Sequence, residues 1–311
     1  MVAFRDLWRD AAREALVHGL FFLPEERRVR LDRHLRGREE LRRLKLADAV
    51  VVSYGKSGRT WLRVMLSRFY QKRFGLPDKL MLEFDNLNRV QPGVPRILFS
   101  HNNYIRDVTD SWDNRRPFYD RKVVLLVRDP RDVAVSQYFQ WQHRMRPWKK
   151  RINDYPPHGS EVSPFSFVMN PKIGMPAIID FMQIWEREME RCSSTLLVRY
   201  EDLRADTGRE LGRLLEFLGT PATPEEIEDA VRFSSLENMR KLEGEGKLGF
   251  LGRRGKPGDS KDPQSFKTRR GKVGGWTDYF SPEEARVIDS CLKERPVLGY
   301  GGAELTRRAS P

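Results

Sequence analysis

The sequence has few cysteines and no long apolar run. Its two cysteines, Cys192 and Cys291, have neither the spacing of a metal site nor that of a disulfide framework, so a cytoplasmic location is expected. No apolar run reaches the roughly 18–20 residues that cross a bilayer. The best run, residues 15–24, is interrupted by His18 and follows acidic residues that argue against a signal peptide. The sequence therefore predicts no transmembrane segment.

Acidic residues are outnumbered by basic ones, 44 against 57, which gives a formal net charge of +13. Such an excess favours an anionic partner: a nucleotide, a nucleic acid, an anionic membrane surface or an acidic substrate. A basic solvated surface is the simpler explanation. The basic residues are spread along the chain without an aromatic-interleaved recognition motif, which argues against specific nucleic-acid binding.

Short apolar runs alternate with helical stripes through most of the chain. Four runs predict buried strands, at residues 49–53, 97–100, 122–127 and 195–199. Repeated strand-then-helix order predicts an α/β fold: a single, P-loop-like domain with a mostly parallel central sheet flanked by helices. Ligands of such sheets bind at the carboxyl ends of the strands.

Three segments are expected from this pattern. Residues 1–46 are predicted to form a helical extension packed on the domain, residues 47–300 the domain itself, and residues 301–311 a tail. Residues 142–176 and 243–275 are rich in charge with proline or glycine, so they are predicted to be irregular segments that serve as lids, binding loops or disordered stretches.

The first constellation, residues 53–61 (SYGKSGRTW), joins a buried strand to an amphipathic helix. Backbone N–H groups at such a turn and helix start form an anion cradle, to which Lys56 adds a charge. A Walker A loop would need a glycine at position 50, where Val50 stands. A P-loop kinase or NTPase that uses ATP therefore stays an alternative, and a non-enzymatic nucleotide- or nucleic-acid-binding protein is another.

The segment GKSGRTW at residues 55–61 resembles a loop of the sulfotransferases that use 3′-phosphoadenosine 5′-phosphosulfate (PAPS), approximately PKSGTTW. The resemblance implies that Lys56 contacts the phosphosulfate and that Trp61 stacks near the adenine. Arg59 stands where the family usually has threonine, so one hydroxyl is lost and one cation is gained. The residues that the resemblance places around the 5′-phosphate are Ser57, Gly58, Arg59 and Thr60.

Two further motifs resemble the family's 3′-phosphate site. Arg128 follows a predicted strand and precedes Ser136 by eight residues, and a guanidinium with a hydroxyl suits a phosphate monoester. Residues 265–276 resemble a late loop, RKGxxGDW, which implies that Arg269, Arg270 and Gly271 close over the same phosphate.

Residues 96–101 (RILFSH) resemble the family's strand that ends in KTH, which places His101 at the catalytic base position. An imidazole suits this role because its ordinary pKa, about 6.5, is near working pH. Phe99 stands where the family often has lysine. Weaker resemblances around residues 197–203 and 234–240 imply that Tyr200 and Ser235 lie near the adenine.

The resemblance covers residues 47–295 and implies sulfuryl transfer from PAPS to a hydroxyl or amine, with release of 3′,5′-ADP. His101 would act as general base for in-line attack, and Lys56 would stabilise the leaving phosphate. No metal is expected, because a sulfuryl group carries less negative charge than a phosphoryl group. The acceptor is not identified, and a homodimer is possible although the family's dimerisation motif is not matched at residues 277–286.

Overall fold

The computed structural model of the chain describes residues 2–247, 266 and 271–302. Within these residues, strands β1 (Ala49–Val52), β2 (Ile97–Ser100), β3 (Lys122–Val127) and β4 (Ser194–Arg199) form one sheet. Its order is β2-β1-β3-β4, and every neighbouring pair is parallel. The predicted α/β fold with a parallel central sheet is confirmed.

Helices cover both faces of this sheet. Before β3 they are α1 (Val2–Gly19), α2 (Glu25–Leu46), α3 (Arg59–Arg73), α4 (Asn86–Val90) and α5 (Arg106–Thr109). Between β3 and β4 they are α6 (Pro130–His143), α7 (Pro147–Arg151), α8 (Pro164–Val168) and α9 (Met175–Glu188). After β4 they are α10 (Tyr200–Ala205), α11 (Thr207–Phe217), α12 (Pro224–Phe233), α13 (Leu236–Gly244) and α14 (Pro282–Glu294). Short 3₁₀ helices occupy Arg116–Phe118, Met189–Arg191 and Gly275–Tyr279.

The central strands are buried on both faces, which is why they are continuous apolar runs. Along β3, Leu125 joins the core against α6, α9 and α14, whereas Leu126 joins the core against α3 and α11. The register pairs Val52 with both Ser100 and Leu125, so the carboxyl ends of β1 and β2 are level. β2 lies on one side of β1, and β3 and β4 lie on the other. The order of the strands therefore reverses at β1, which opens a crevice at the carboxyl ends of the strands.

The helix boundaries follow local capping chemistry. Thr223 and Ser281 form reciprocal capping boxes with Glu226 and Glu284, each with proline at the first helical position, as the sequence predicts. Asp129 accepts a hydrogen bond from the backbone of Arg131 and so starts α6. Residues 142–176, which were predicted to be irregular, contain α7 and α8, because proline at their first positions favours helix initiation.

The N-terminal helices are joined to the rest by a buried carboxylate. Asp32 of α2 is 1% exposed. It forms salt bridges of 3.0 Å with Arg13 of α1 and with Arg36, and it accepts a hydrogen bond of 2.8 Å from the Trp148 indole of α7. Leu44 at the end of α2 is part of the main core. Of the helices that the structure describes, none combines the length and apolarity needed to span a membrane.

Candidate active site

A cavity of about 1870 Å³ opens at the carboxyl ends of the strands. That volume exceeds the roughly 300–1,000 Å³ of a site for one small ligand, so two ligands can share it. The cavity is lined by the turn after β1, by residues that follow β2 and β3, and by side chains of α1, α2, α6 and α9. Most of the predicted site residues therefore meet in one place.

The turn between β1 and α3 contains two residues in the left-handed region, Lys56 (φ 77°) and Gly58 (φ 99°). A Cβ atom at Gly58 would also lie 2.7 Å from the ring of Tyr200, so only glycine fits. Lys56 donates a hydrogen bond from Nζ to Oε1 of Gln140 on α6 at 3.1 Å. Helix α3 begins directly after Gly58, and its first intrahelical hydrogen bond is donated by the backbone N–H of Leu62. The backbone N–H groups before Leu62 therefore have no partner within the helix.

Arg128 directly follows β3. Its Nη2 donates to Oδ2 of Asp132 at 3.1 Å and to the carbonyl of Lys272 at 3.0 Å, and its guanidinium lies 4.4 Å from the centre of the Tyr200 ring. Its Nε is buried and has no hydrogen-bond partner among the described residues. Ser136 lines the same cavity from α6. The end of β3 thus places a guanidinium and a hydroxyl in the same cavity as Lys56.

Asp132 was not predicted as a site residue. It is buried, and its carboxylate accepts hydrogen bonds of 3.0 Å from the backbone N–H groups of Gly274 and Trp276 in addition to the bond from Arg128. It therefore holds the late loop against the arginine. The sequence signal that could have revealed Asp132 is its spacing of one helical turn from Arg128. Its loop partner Gly274, in contrast, lies 142 residues away in the chain.

The two aromatic residues predicted near the adenine lie together. Trp61 and Tyr200 meet edge to face with 5.9 Å between ring centroids, and the Trp61 indole donates to the carbonyl of Ser234 at 2.9 Å. Ser235 is exposed and caps α13, and Ser57 is buried in its turn; neither is among the described residues that line the cavity.

Of the predicted residues of the late loop, one lies within the described residues. Gly271 lines the cavity with φ 62°. Arg269 and Arg270 lie outside the described residues.

His101 directly follows β2 and lines the cavity. Its Nδ1 is 2.7 Å from the carbonyl oxygen of Ser53, and a carbonyl only accepts, so Nδ1 carries the proton. The neutral ring then has its lone pair on Nε2. Burial, followed by the positive charge of Arg59, lowers the pKa of His101 well below 6.5. The imidazole is therefore a neutral proton acceptor at physiological pH.

Glu40 of α2 also reaches this site and was not predicted. It accepts a hydrogen bond from the hydroxyl of Ser100, which in turn accepts one from the backbone N–H of Asn102 at 2.7 Å. Burial raises the pKa of Glu40, whereas Ser100 and the nearby Arg59 oppose the rise. The carboxyl group thus fixes the turn that carries His101.

Phe99, which replaces a frequent lysine, lies under a cation. The guanidinium of Arg63 on α3 is 4.5 Å from the centre of the Phe99 ring, and its positive charge also lowers the pKa of His101. Positive charge beside His101 thus comes from Arg63 on α3, and not from a lysine at position 99 on β2.

Comparison with known proteins gives the family. The sulfotransferase domain model matches residues 46–297. The chain belongs to the sulfotransferase family. The predicted enzyme class is confirmed, and this membership disfavours the kinase and the non-enzymatic alternatives.

Among curated relatives of this sulfotransferase, cytosolic sulfotransferase 13 of Arabidopsis thaliana is 27% identical over 81% of this chain and 77% of its own length. Human sulfotransferase 2A1 is 26% identical over 80% of this chain and 84% of its own length.

Two solved structures share the fold. Mouse sulfotransferase SULT7A1, complexed with PAP, aligns with a TM-score of 0.52 at 20% identity over 83% of this chain and 89% of its own. Retinol dehydratase, in complex with androsterone and the inactive cofactor PAP, aligns with a TM-score of 0.55 at 17% identity over 85% and 83%.

Proposed function

We propose that this sulfotransferase uses PAPS as donor and transfers its sulfuryl group to a hydroxyl or amine, releasing 3′,5′-ADP. The observation that carries the proposal is that two cationic side chains on different elements, Lys56 and Arg128, line the same cavity as His101. A nucleotide with separate 5′ and 3′ phosphates matches two such side chains. Solved relatives bound to PAP, which is 3′,5′-ADP, support this assignment.

The described residues fit such a donor. The buried Nε of Arg128 lacks a partner among them, and a phosphate would supply one. The 3′-phosphate is assigned to Arg128, Ser136 and Gly271, with Arg269 and Arg270 expected to contribute. The 5′ side is assigned to the turn at residues 56–60. The adenine is assigned to the vicinity of Trp61 and Tyr200, whereas the position of Ser235 gives its assignment less support.

His101 is proposed as the general base. As the acceptor oxygen or nitrogen attacks sulfur in line, its proton passes to Nε2 of His101. The bond from the acceptor atom to sulfur forms while the bond from sulfur to the phosphate oxygen breaks. The Nδ1–H bond to the Ser53 carbonyl stabilises the imidazolium that results. PAPS, when bound, supplies the sulfuryl group.

Lys56 is proposed to stabilise the negative charge that develops on the leaving phosphate oxygen. Its hydrogen bond to Gln140 on α6 orients the ammonium before the reaction. No metal is assigned a role, because the sulfuryl group carries less negative charge than a phosphoryl group.

A cytoplasmic location is part of the proposal, supported by relatives that are named cytosolic sulfotransferases. The domain boundaries near residues 46 and 300 and a possible homodimer stay predictions.

The test is titration calorimetry with 3′,5′-ADP and with 5′-AMP. The parent protein should bind 3′,5′-ADP roughly 10- to 100-fold more tightly, since charge-assisted hydrogen bonds contribute about 1.5–3 kcal/mol. Arg128→Ala should remove most of that difference, whereas Arg121→Ala, a matched change at a residue that does not line the cavity, should keep it. Equal affinity of the parent for both nucleotides would refute the two-phosphate assignment, and turnover of ATP but not PAPS would refute the donor.

A further inference from the structure

The part of the cavity near His101 has an aromatic wall to which no donor-binding role has been assigned. Tyr54, adjacent in the chain to Ser53, packs edge to face against Phe181 of α9 with 5.5 Å between ring centroids. Ile184, one turn further along α9, lines the cavity as well. An apolar portion of an acceptor can pack against this wall.

Two guanidinium groups face the same region, Arg106 at the start of α5 and Arg115 before the following 3₁₀ helix. Arg106 lies over the Trp112 ring at 4.4 Å, and its guanidinium has neither a hydrogen bond nor a salt bridge to any residue that the structure describes. Arg115 is 4% exposed, and its guanidinium donates one hydrogen bond among the described residues, to the carbonyl of Asn114. The Nε atoms of both arginines are buried without a partner in the described part of the chain.

The nearest carboxylates are engaged elsewhere. Asp107 accepts two hydrogen bonds of 3.2 Å from Arg33. Glu188 accepts hydrogen bonds from the Tyr119 hydroxyl and from the backbone N–H of Arg115, and in the described part of the chain it accepts none from the Arg115 guanidinium. The two cations therefore present donors to the cavity that no described carboxylate satisfies.

The electrostatics agree with this geometry. Burial lowers the pKa of Arg106, and burial together with the charge of Arg106 lowers the pKa of Arg115 to about 10. Both groups are still cationic at neutral pH, and each disfavours the charge of the other. An anion bound between them would relieve that repulsion and supply the missing acceptors.

We propose that Arg106 and Arg115 form an acceptor subsite for an oxyanion group. The acceptor is then an amphipathic molecule that carries a carboxylate, phosphate or sulfate in addition to the hydroxyl or amine that His101 deprotonates. This inference rests on the proposed function and adds the class of its acceptor. The aromatic wall receives the apolar body, and the two arginines fix its charged end.

The test compares each of two hydroxyl carboxylates with its neutral amide. The probes are para-hydroxyphenylacetate with para-hydroxyphenylacetamide, and ω-hydroxydecanoate with ω-hydroxydecanamide, at saturating PAPS. The parent should use at least one carboxylate roughly 10- to 100-fold better in kcat/KM than its amide. Arg106→Gln and Arg115→Gln should remove that preference while leaving the amide rate and the affinity for 3′,5′-ADP near the parent values.

Arg116→Gln is the control, because it makes the same change next to Arg115 at an exposed residue that does not line the cavity. It should keep the preference. If Arg115→Gln does not fold, the partly exposed Arg106→Gln decides. Equal use of acid and amide by the parent, or a preference that survives both substitutions, overturns the inference.

The outcome is separable from that of the proposed function. If no probe is sulfated, calorimetry on the protein loaded with 3′,5′-ADP decides. Binding of a carboxylate over its amide, lost in Arg106→Gln, supports the subsite, and equal or absent binding overturns it. If the parent protein itself does not bind 3′,5′-ADP, the result counts against the donor assignment and not against the acceptor subsite.

Discussion

At the scale of single residues, the imidazole of His101 combines burial with a fixed proton on Nδ1. Because the proposed base must be unprotonated and the pKa of His101 is lowered well below 6.5, acid should not inactivate it until well below pH 6.5. We therefore expect kcat/KM for a neutral hydroxyl acceptor to stay level between about pH 6.5 and 8. A pH profile with single-turnover rates measures this. A fall centred near pH 6.5 would contradict it.

The same shift affects stability. The unfolded chain binds a proton to this histidine near pH 6.5, whereas the folded chain resists it, so stability should be lost as pH falls from about 6.5 towards the lowered pKa. His101→Gln should make the free energy of unfolding less dependent on pH in that window. It should also lower sulfuryl transfer by roughly 10²–10⁴-fold. Denaturant titrations at several pH values give the first quantity, and a parent-like rate of transfer would make His101 structural.

The carboxylate of Asp132 joins Arg128 at the end of β3 to the late loop at Gly274 and Trp276. Asp132→Ala should weaken 3′,5′-ADP binding by roughly tenfold or more, because it releases both Arg128 and the loop at Gly274 and Trp276. Calorimetry measures the loss, with the exposed Asp120→Ala as control. Unchanged affinity would show that the loop and the arginine are positioned without it.

At the scale of elements, the joint at Asp32 connects α1, α2 and α7. Asp32→Asn removes the charge that faces Arg13 and Arg36, and we expect the free energy of unfolding to fall by about 3 kcal/mol. Cleavage by trypsin within residues 1–46 should become faster. Asp78→Asn, at a carboxylate that is 67% exposed, should change neither quantity. Equal proteolysis of both variants would show that α1 docks by other contacts.

The elements that the sequence predicts well are those whose signals are local. β1 and β3 are short apolar runs, and the capping boxes at Thr223 and Ser281 each lie within four residues. The contact of Glu40 with Ser100 and that of Asp132 with Gly274 could not be found this way, because these partners lie 60 and 142 residues away in the chain. Glu40 also lies on a highly charged helix, where an acidic residue resembles a solvated one. Tertiary contacts, which local patterns do not encode, complete the site.

At the scale of the whole molecule, the cavity concentrates part of the +13 charge of the chain. A bound nucleotide with two phosphate monoesters should therefore stabilise the fold. At a 3′,5′-ADP concentration of 100 Kd the gain is about 2.7 kcal/mol, which should raise Tm by roughly 5 °C. Thermal unfolding measures it. The same concentration of 5′-AMP should raise Tm less, and the effect of 3′,5′-ADP should shrink as salt is added. A shift that is independent of salt would argue against charge as its source.

The strand order β2-β1-β3-β4 makes recombination between relatives practicable. The residues proposed to bind the phosphates follow β1 and β3, whereas Arg106 and Arg115 follow β2, which among the described strands is an outer one paired through four residues with β1 alone. Residues 101–116 together with residues 1–46 can thus be exchanged as one cassette against the equivalent segments of another sulfotransferase. We expect such a chimera to acquire the preference of the cassette's source for or against a charged acceptor, while its affinity for 3′,5′-ADP, measured by calorimetry, stays near that of the parent.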